Sequence, residues 1–253
     1  MKIGILIPVT SNYRNWNTVL ETYLYNLTLR TFASIYDNEH TYIFYIGIDR
    51  NDTIFDNIKI QKLFETLVAQ LEGCSIKFIY MDNINKGHTS ELWNKLFKQA
   101  YDENCDYFFQ CGDDIVFKTK GLFNTCIQIL QQHNNIGVTG PANNNNRILT
   151  QTFVSRKHMD IFGFYFPKEI YNWCNDDWIN DVYKPNLFYP ALTQYCSNEG
   201  GQPRYIINND PNFDEAKWKL LIVEIKEIVE KYKHNIINYL NNNNLSNPHI
   251  SLE

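Results

Sequence analysis

Gly112-Asp113-Asp114 closes an apolar run, Tyr107-Phe108-Phe109-Gln110-Cys111, and a second short run, Ile115-Val116-Phe117, follows it. An ionised carboxylate in apolar surroundings is costly unless it is paired or metal-bound. Two of them at the end of a buried strand therefore point to a ligand. Hard divalent cations such as Mg²⁺ or Mn²⁺ suit carboxylate oxygens and bridge to phosphate. The expected chemistry is a metal–diphosphate site, and a solvated acidic loop is the alternative that these residues alone leave open. A second acidic cluster, Trp173-Cys174-Asn175-Asp176-Asp177-Trp178, lies downstream. There the bland reading is a pair of acids complementing a helix dipole.

The elements that would position these groups can be read from periodicity. Ile3 to Val9 is a continuous apolar run, as expected of a parallel strand buried on both faces. A helix follows, with Trp16, Val19, Leu20, Tyr23, Leu24 and Leu27 on one face. A second strand, Tyr42 to Ile48, ends in Asp49, and the next helix carries Ile60, Leu63, Phe64, Leu67, Val68 and Leu71. A third strand, Ile76 to Met81, ends in Asp82. Thr89 or Ser90 is the expected cap of a third helix, with Glu91 in its first turn. This β-α-β-α-β-α-β order with short links reads as a parallel α/β sheet. Ligands of such sheets bind beyond the carboxyl ends of the strands, which here carry Thr10, Asp49, Asp82 and Asp113-Asp114. Further on, a helix through Leu122 to Leu130, short strands near Ile136 and Thr152, and a long amphipathic helix through Trp218 to Tyr232 are expected.

This arrangement resembles the GT-A fold of glycosyltransferases, in particular the inverting transferases of the family 2 type, over roughly residues 1 to 205. The resemblance implies a mostly parallel, Rossmann-like sheet flanked by helices. It divides the chain into a catalytic domain over about residues 1–210 and a helical tail over about 211–253. Within the domain, about 1–118 would be the donor half and 119–210 the acceptor half. Pro8, Thr10 and Asn12 look like the segment that holds the nucleoside, and Asp49 like the acid that binds it. Gly112-Asp113-Asp114 looks like the Asp-x-Asp motif, and Asn175-Asp176-Asp177-Trp178 like the later acidic motif that supplies the catalytic base, Asp177 first and Asp176 as the alternative. A true Asp-x-Asp aims both carboxylates one way, because residues two apart in a strand share a face. Gly112 stands where the first acid would be, so either the chain turns there or a single acid binds metal. Asp114 is the expected metal ligand, with Asp113 on metal, ribose or water.

The resemblance further implies a Mn²⁺ (or Mg²⁺) cofactor, a UDP-sugar donor and a glycan, protein or lipid-linked acceptor. Lys86, before the third helix, is expected at the donor phosphate, and Trp178, with Trp173, at an acceptor sugar. His249 is a candidate third metal ligand; Tyr13 and Arg14 are candidates at the base, and Arg156 and His158 on the acceptor side. His88 reads as a plain loop residue.

A net charge of −5 argues against general nucleic-acid binding, while an anionic nucleotide remains compatible if a metal supplies positive charge. The six cysteines form no Cys-x-x-Cys pair and show no zinc spacing, so reduced, buried thiols are expected. No stretch reads as a signal peptide or membrane span, and a cytoplasmic location follows as the expectation. Asn143 to Asn146 and Asn241 to Asn244 suggest an AT-rich coding genome, such as that of a large DNA virus, in which case the cytoplasm is the host's. Three other functions compete. A polymerase palm also carries Gly-Asp-Asp but does not suit so short and acidic a chain. A sugar nucleotidyltransferase would need a glycine-rich loop after the first strand, which Pro8-Val9-Thr10-Ser11-Asn12 lacks. A non-catalytic sugar- or nucleotide-binding module is the third.

Overall fold

The computed structural model describes residues 1–201, 203 and 205–245. Three parallel pairings build the first half of the sheet from β1 (Lys2–Pro8), β2 (Thr41–Ile48), β3 (Cys74–Tyr80) and β4 (Tyr107–Gln110). The second half comprises β5 (Ile115–Phe117), β6 (Val138–Ala142), β7 (Thr152–Ser155) and β8 (Phe188–Asn198). The complete order is β3-β2-β1-β4-β7-β6-β8-β5, with β7 antiparallel to β4. β8 serves two partners: its first residues run parallel to β6 and its last pair antiparallel with β5. The sheet therefore curls back, bringing the end of β8 to the acidic motif.

Strand alternation divides the core. Ile3, Ile5 and Ile7 of β1 and Phe44, Ile46 and Ile48 of β2 face one layer. That layer includes α1 (Arg30–Ile35), α2 (Ile58–Val68) and α4 (Leu122–Gln132). Leu6, Ile43 and Tyr45 face the other. It holds α3 (Thr89–Asp102), α5 (Lys157–Phe162), α6 (Asn175–Tyr183) and α7 (Glu215–Asn242). Because both faces are covered, the strands read as unbroken apolar runs.

Two local expectations need correction. The first helix is not one regular element starting near Trp16: a 3₁₀ turn, Val19–Glu21, leads to a π-helix, Leu24–Leu29, and then to α1. The inward face does not follow one regular helix: Leu20, in the 3₁₀ turn, is 57% exposed, while Thr22 and Thr28 are fully buried. The N-cap of α3 is His88, not Thr89 or Ser90. Their hydroxyls bond the segment before α6 instead: Thr89 donates to the Asn172 carbonyl, Ser90 to the Ile170 carbonyl and the Asn175 side chain.

α7 starts on an Asp214 cap that accepts from the Lys217 N–H at 3.0 Å. Its apolar stripe, Leu221, Ile225, Val229, Ile236 and Leu240, is buried in the second layer. It is packed on the domain, one of the two roles its amphipathic pattern leaves open. All six cysteines are buried and reduced. Among the described residues no helix is long and apolar enough to cross a membrane.

Candidate active site

A cleft of about 350 Å³ opens beyond the carboxyl ends of the parallel strands. Pro8, Thr10, Asp49, Lys86, Asp113 and Asp114, six residues expected at the site, all line it. Three strand ends, those of β1, β2 and β4, and the loop before α3 supply them.

Asp113 and Asp114 form a turn between β4 and β5, so the chain does bend after Gly112 and both acids reach the cleft. Asp113 has no exposed surface, and Asp114 is half-buried. The Asp114 carboxylate is wedged between two glycines. A β-carbon on Gly112 would stand 2.4 Å from Asp114 Oδ1, and one on Gly200 2.3 Å from Asp114 Oδ2. Gly200 reaches it because β8 pairs Asn198 with Ile115 and the Glu199 N–H donates to the Asp114 carbonyl at 3.0 Å.

Asp49 lies half-buried with no hydrogen bond to its carboxylate among the described residues. Burial, then the nearby Asp52, raise its pKa, and Lys86 partly offsets them. Asp52 was not singled out by sequence, because it sits beyond the strand end in a polar loop. Its carboxylate binds the two loops together. It accepts from Ser11 N–H and Ser11 Oγ, both at 2.7 Å, from Thr10 Oγ1 at 3.1 Å, and from the Ile54 and Phe55 N–H groups. Burial opposes its ionisation, but those donors outweigh it and pull the pKa down. Asn12 does not line the cleft; its N–H donates to Thr10 Oγ1 at 3.1 Å.

Lys86 is exposed at the rim, its Nζ 5.0 Å from the centre of the Tyr13 ring. Arg14 also lines the cleft and donates to the Gly200 carbonyl at 3.3 Å. Trp173, with Asn172, forms part of the wall, and Trp173 meets Trp218 of α7 edge-on at 6.4 Å.

Asp176 and Asp177 sit at the start of α6, just past that wall, and do not line the cleft itself. Asp177 is ion-paired with Arg147. No hydrogen bond to the Asp176 carboxylate occurs among the described residues. Burial, and then the neighbouring Asp177, lift its pKa to about 7. The asparagine-rich loop joins the two regions: Asn144 bonds the Asn198 backbone at the cleft, and Arg147 reaches Asp177.

Several expectations fall elsewhere. Trp178 has no exposed surface and packs against Phe162, Phe164 and Tyr232 in the core, so neither ring face is open to a sugar. His158 is likewise a core residue, bonded to the Tyr183 hydroxyl at 2.8 Å, and burial lowers its pKa to about 4. Arg156 stacks over Tyr101 and donates to the carbonyls of Tyr101, in the last turn of α3, and Cys105, in the α3–β4 link. Asp82 forms a two-pronged ion pair with Arg50 outside the cleft. His88 stacks on Tyr171, a structural role. His249 lies outside the described residues.

The fold itself has known counterparts. The crystal structure of S. aureus TarS 1-349 in complex with UDP-GlcNAc matches with a TM-score of 0.57 at 13% identity, covering 92% of this chain and 66% of that one. The same TarS fragment in another crystal structure gives a TM-score of 0.51 at 14% identity, covering 77% of this chain and 60% of that one. The mannosyltransferase PcManGT from Pyrobaculum calidifontis, in complex with GDP-Man and Mn²⁺, gives 0.56 at 9% identity, covering 80% and 57%. The chain has the GT-A glycosyltransferase fold. It spans less than two thirds of each of these neighbours. No protein-family model matches the sequence, and neither does any curated protein.

Proposed function

We propose that the protein is a metal-dependent glycosyltransferase, moving a sugar from a nucleotide-sugar donor to an acceptor hydroxyl with inversion at the anomeric carbon. The observation that carries this reading is the convergence of Asp49, Asp113 and Asp114 with Lys86 and Arg14 in one cleft. That cleft lies where open α/β sheets bind nucleotides. UDP is the proposed nucleotide, supported by the family resemblance and by a neighbour that binds UDP-GlcNAc.

The residues present fit Mn²⁺ or Mg²⁺. No group of three or more His, Cys, Asp or Glu suited to a metal occurs among the described residues. Two carboxylates at the cleft are what such cations use when substrate phosphates complete the coordination. Asp114, fixed between its glycines, would hold the metal, with Asp113 beside it on metal, ribose or an ordered water. When bound, the cation supplies Lewis-acid neutralisation of the departing diphosphate.

The chain's own residues account for the remaining roles. Asp49, at the end of β2, would accept a hydrogen bond from the nucleoside beside the Thr10–Ser11 loop that Asp52 rigidifies. Lys86 and Arg14 would face the phosphates. Asp176 would take the acceptor hydroxyl's proton as that oxygen bonds the anomeric carbon and the bond to the diphosphate breaks. A carboxylate with a pKa near 7 is suited to general-base work at neutral pH. Asp177, held by Arg147, would raise the basicity of its neighbour.

Thermal-shift titration with UDP, GDP and their sugars, with Mn²⁺ or with EDTA, tests the reading. One nucleotide should stabilise the protein more with Mn²⁺, since a ligand stabilises according to its affinity for the native state. Its sugar conjugate should be hydrolysed slowly or transferred. Release of pyrophosphate from a nucleoside triphosphate and a sugar phosphate would instead establish a nucleotidyltransferase. Binding without turnover on any donor and acceptor would leave a binding module.

A further inference from the structure

Thr28 lies in the π-helix, is fully buried, and is more than eighty residues from the acidic turn in sequence. Its hydroxyl nevertheless meets the backbone of the acidic turn. Thr28 Oγ1 donates to the Asp113 carbonyl at 2.7 Å and accepts from the Ile115 N–H at 3.2 Å, with the Ile115 carbonyl also at 3.2 Å. One turn on, Thr31 Oγ1 accepts from the Phe117 N–H at 3.0 Å. β5 is the last strand of the sheet and pairs on one side with β8. Its outward N–H groups recur every second residue, and threonines three apart on the helix meet two of them. The helix thus does for this edge what a further strand would do.

The match depends on local helix geometry. A π turn carries more residues than an α turn and rotates the face that follows. Thr28 lies inside that turn, four residues after Leu24, and is buried together with it.

We infer that Thr28 is a positioning residue for the donor site: its hydroxyl fixes the turn that aims the Asp113 and Asp114 carboxylates into the cleft. The inference rests on the donor site proposed above. The Asp113 carbonyl and Ile115 N–H are adjacent to both carboxylates in the chain, so releasing them frees the turn. Asp49 and the Thr10–Ser11 loop, held by Asp52, do not depend on it.

Thr28→Val removes the hydroxyl at nearly constant shape, and Thr28→Ser retains it. Affinity is measured by titration for Mn²⁺ with UDP, and for uridine in EDTA. Thr28→Val should weaken Mn²⁺–UDP about tenfold, the effect of one lost buried hydrogen bond. Uridine affinity should stay within twofold of the parent, and Thr28→Ser should restore Mn²⁺–UDP to about the parent's value. If Thr28→Val does not fold, Thr28→Cys, with its weaker donor, takes its place in the same comparison. A lower melting temperature with parent-like Mn²⁺–UDP affinity would show Thr28 to be merely structural and overturn the inference. So would an equal loss for uridine and Mn²⁺–UDP. A parent that binds no Mn²⁺–nucleotide defeats the donor-site reading itself, an outcome distinct from failure of the Thr28 assignment.

Discussion

Asp176 and Asp177 are neighbours in sequence with opposite surroundings. Asp177 has a guanidinium partner in Arg147, whereas Asp176 is desolvated beside a negative charge, with a pKa lifted to about 7. Transfer by the wild type should therefore rise with pH through about 7. Asp176→Asn should lower transfer about 10²–10⁴-fold and leave Mn²⁺–UDP affinity unchanged. A linked stability effect has a definite sign. The folded carboxyl keeps a proton that the unfolded chain releases at its ordinary, lower pKa. Stability should thus fall as pH rises from the usual carboxylate range to about 7, with the full penalty above that. Asp176→Asn should accordingly melt higher than the parent at pH 8 and close to it at pH 4. A flat difference across that range would show that Asp176 is not the perturbed group. On the donor side, Asp49→Ala should weaken uridine and UDP alike, while Asp114→Ala should remove only the extra stabilisation that Mn²⁺ gives UDP. Equal uridine titrations for Asp49→Ala and parent would take Asp49 out of the nucleoside site. The place of Asp49, Asp113 and Asp114 at the cleft was legible because each follows an apolar run that has to be a buried strand. Trp178 was misread because an indole beside two acids looks the same in sequence whether its ring faces a ligand or the core.

At the scale of elements, the parallel strands were plain from their apolar runs, and α2, α3, α4 and α7 from their periodicity. What periodicity could not convey was a change of helix type. The π-helix alters the phase within a few residues, and no residue type or spacing marks where it begins. β8 was also illegible, since its burial alternates irregularly as it leaves β6 for β5. Yet that strand delivers Gly200 to Asp114, and the contact makes a prediction. A β-carbon at position 200 would lie 2.3 Å from both Cβ and Oδ2 of Asp114, a distance no packed pair tolerates. Gly200→Ala should displace the Asp114 carboxylate or the 199–201 segment. Mn²⁺-dependent stabilisation by UDP should fall at least about tenfold in affinity, a modest cost for off-rotamer or shifted packing. Uridine binding should persist. Parent-like Mn²⁺–UDP affinity in this variant would mean that the wedge does not position the acid.

Over the whole molecule, the sheet carries two cores, and the second cannot be closed without the C-terminal helix. The sequence pattern marked a terminal amphipathic helix that could pack on the domain or serve a partner. Amphipathicity, however, says only that one face is buried, not against what. The burying surface is formed by α5 and α6, the latter carrying Asp176, and α7 also meets the cleft wall where Trp218 touches Trp173. Helix and domain should consequently unfold together. Ile225 is 4% exposed on the inner stripe of α7, and Ile225→Ala should cost about 2–5 kcal/mol through lost transfer energy and the cavity left behind. For a chain of this size each kcal/mol moves the melting point by about 2–4 °C, so a drop of roughly 4–20 °C is expected in one cooperative transition. Calorimetry distinguishes the alternatives. If the variant instead shows a small early transition followed by a main one at the parent's temperature, α7 is an independent unit, and the fixed wall it gives to Trp173 and α6 has to be sought elsewhere.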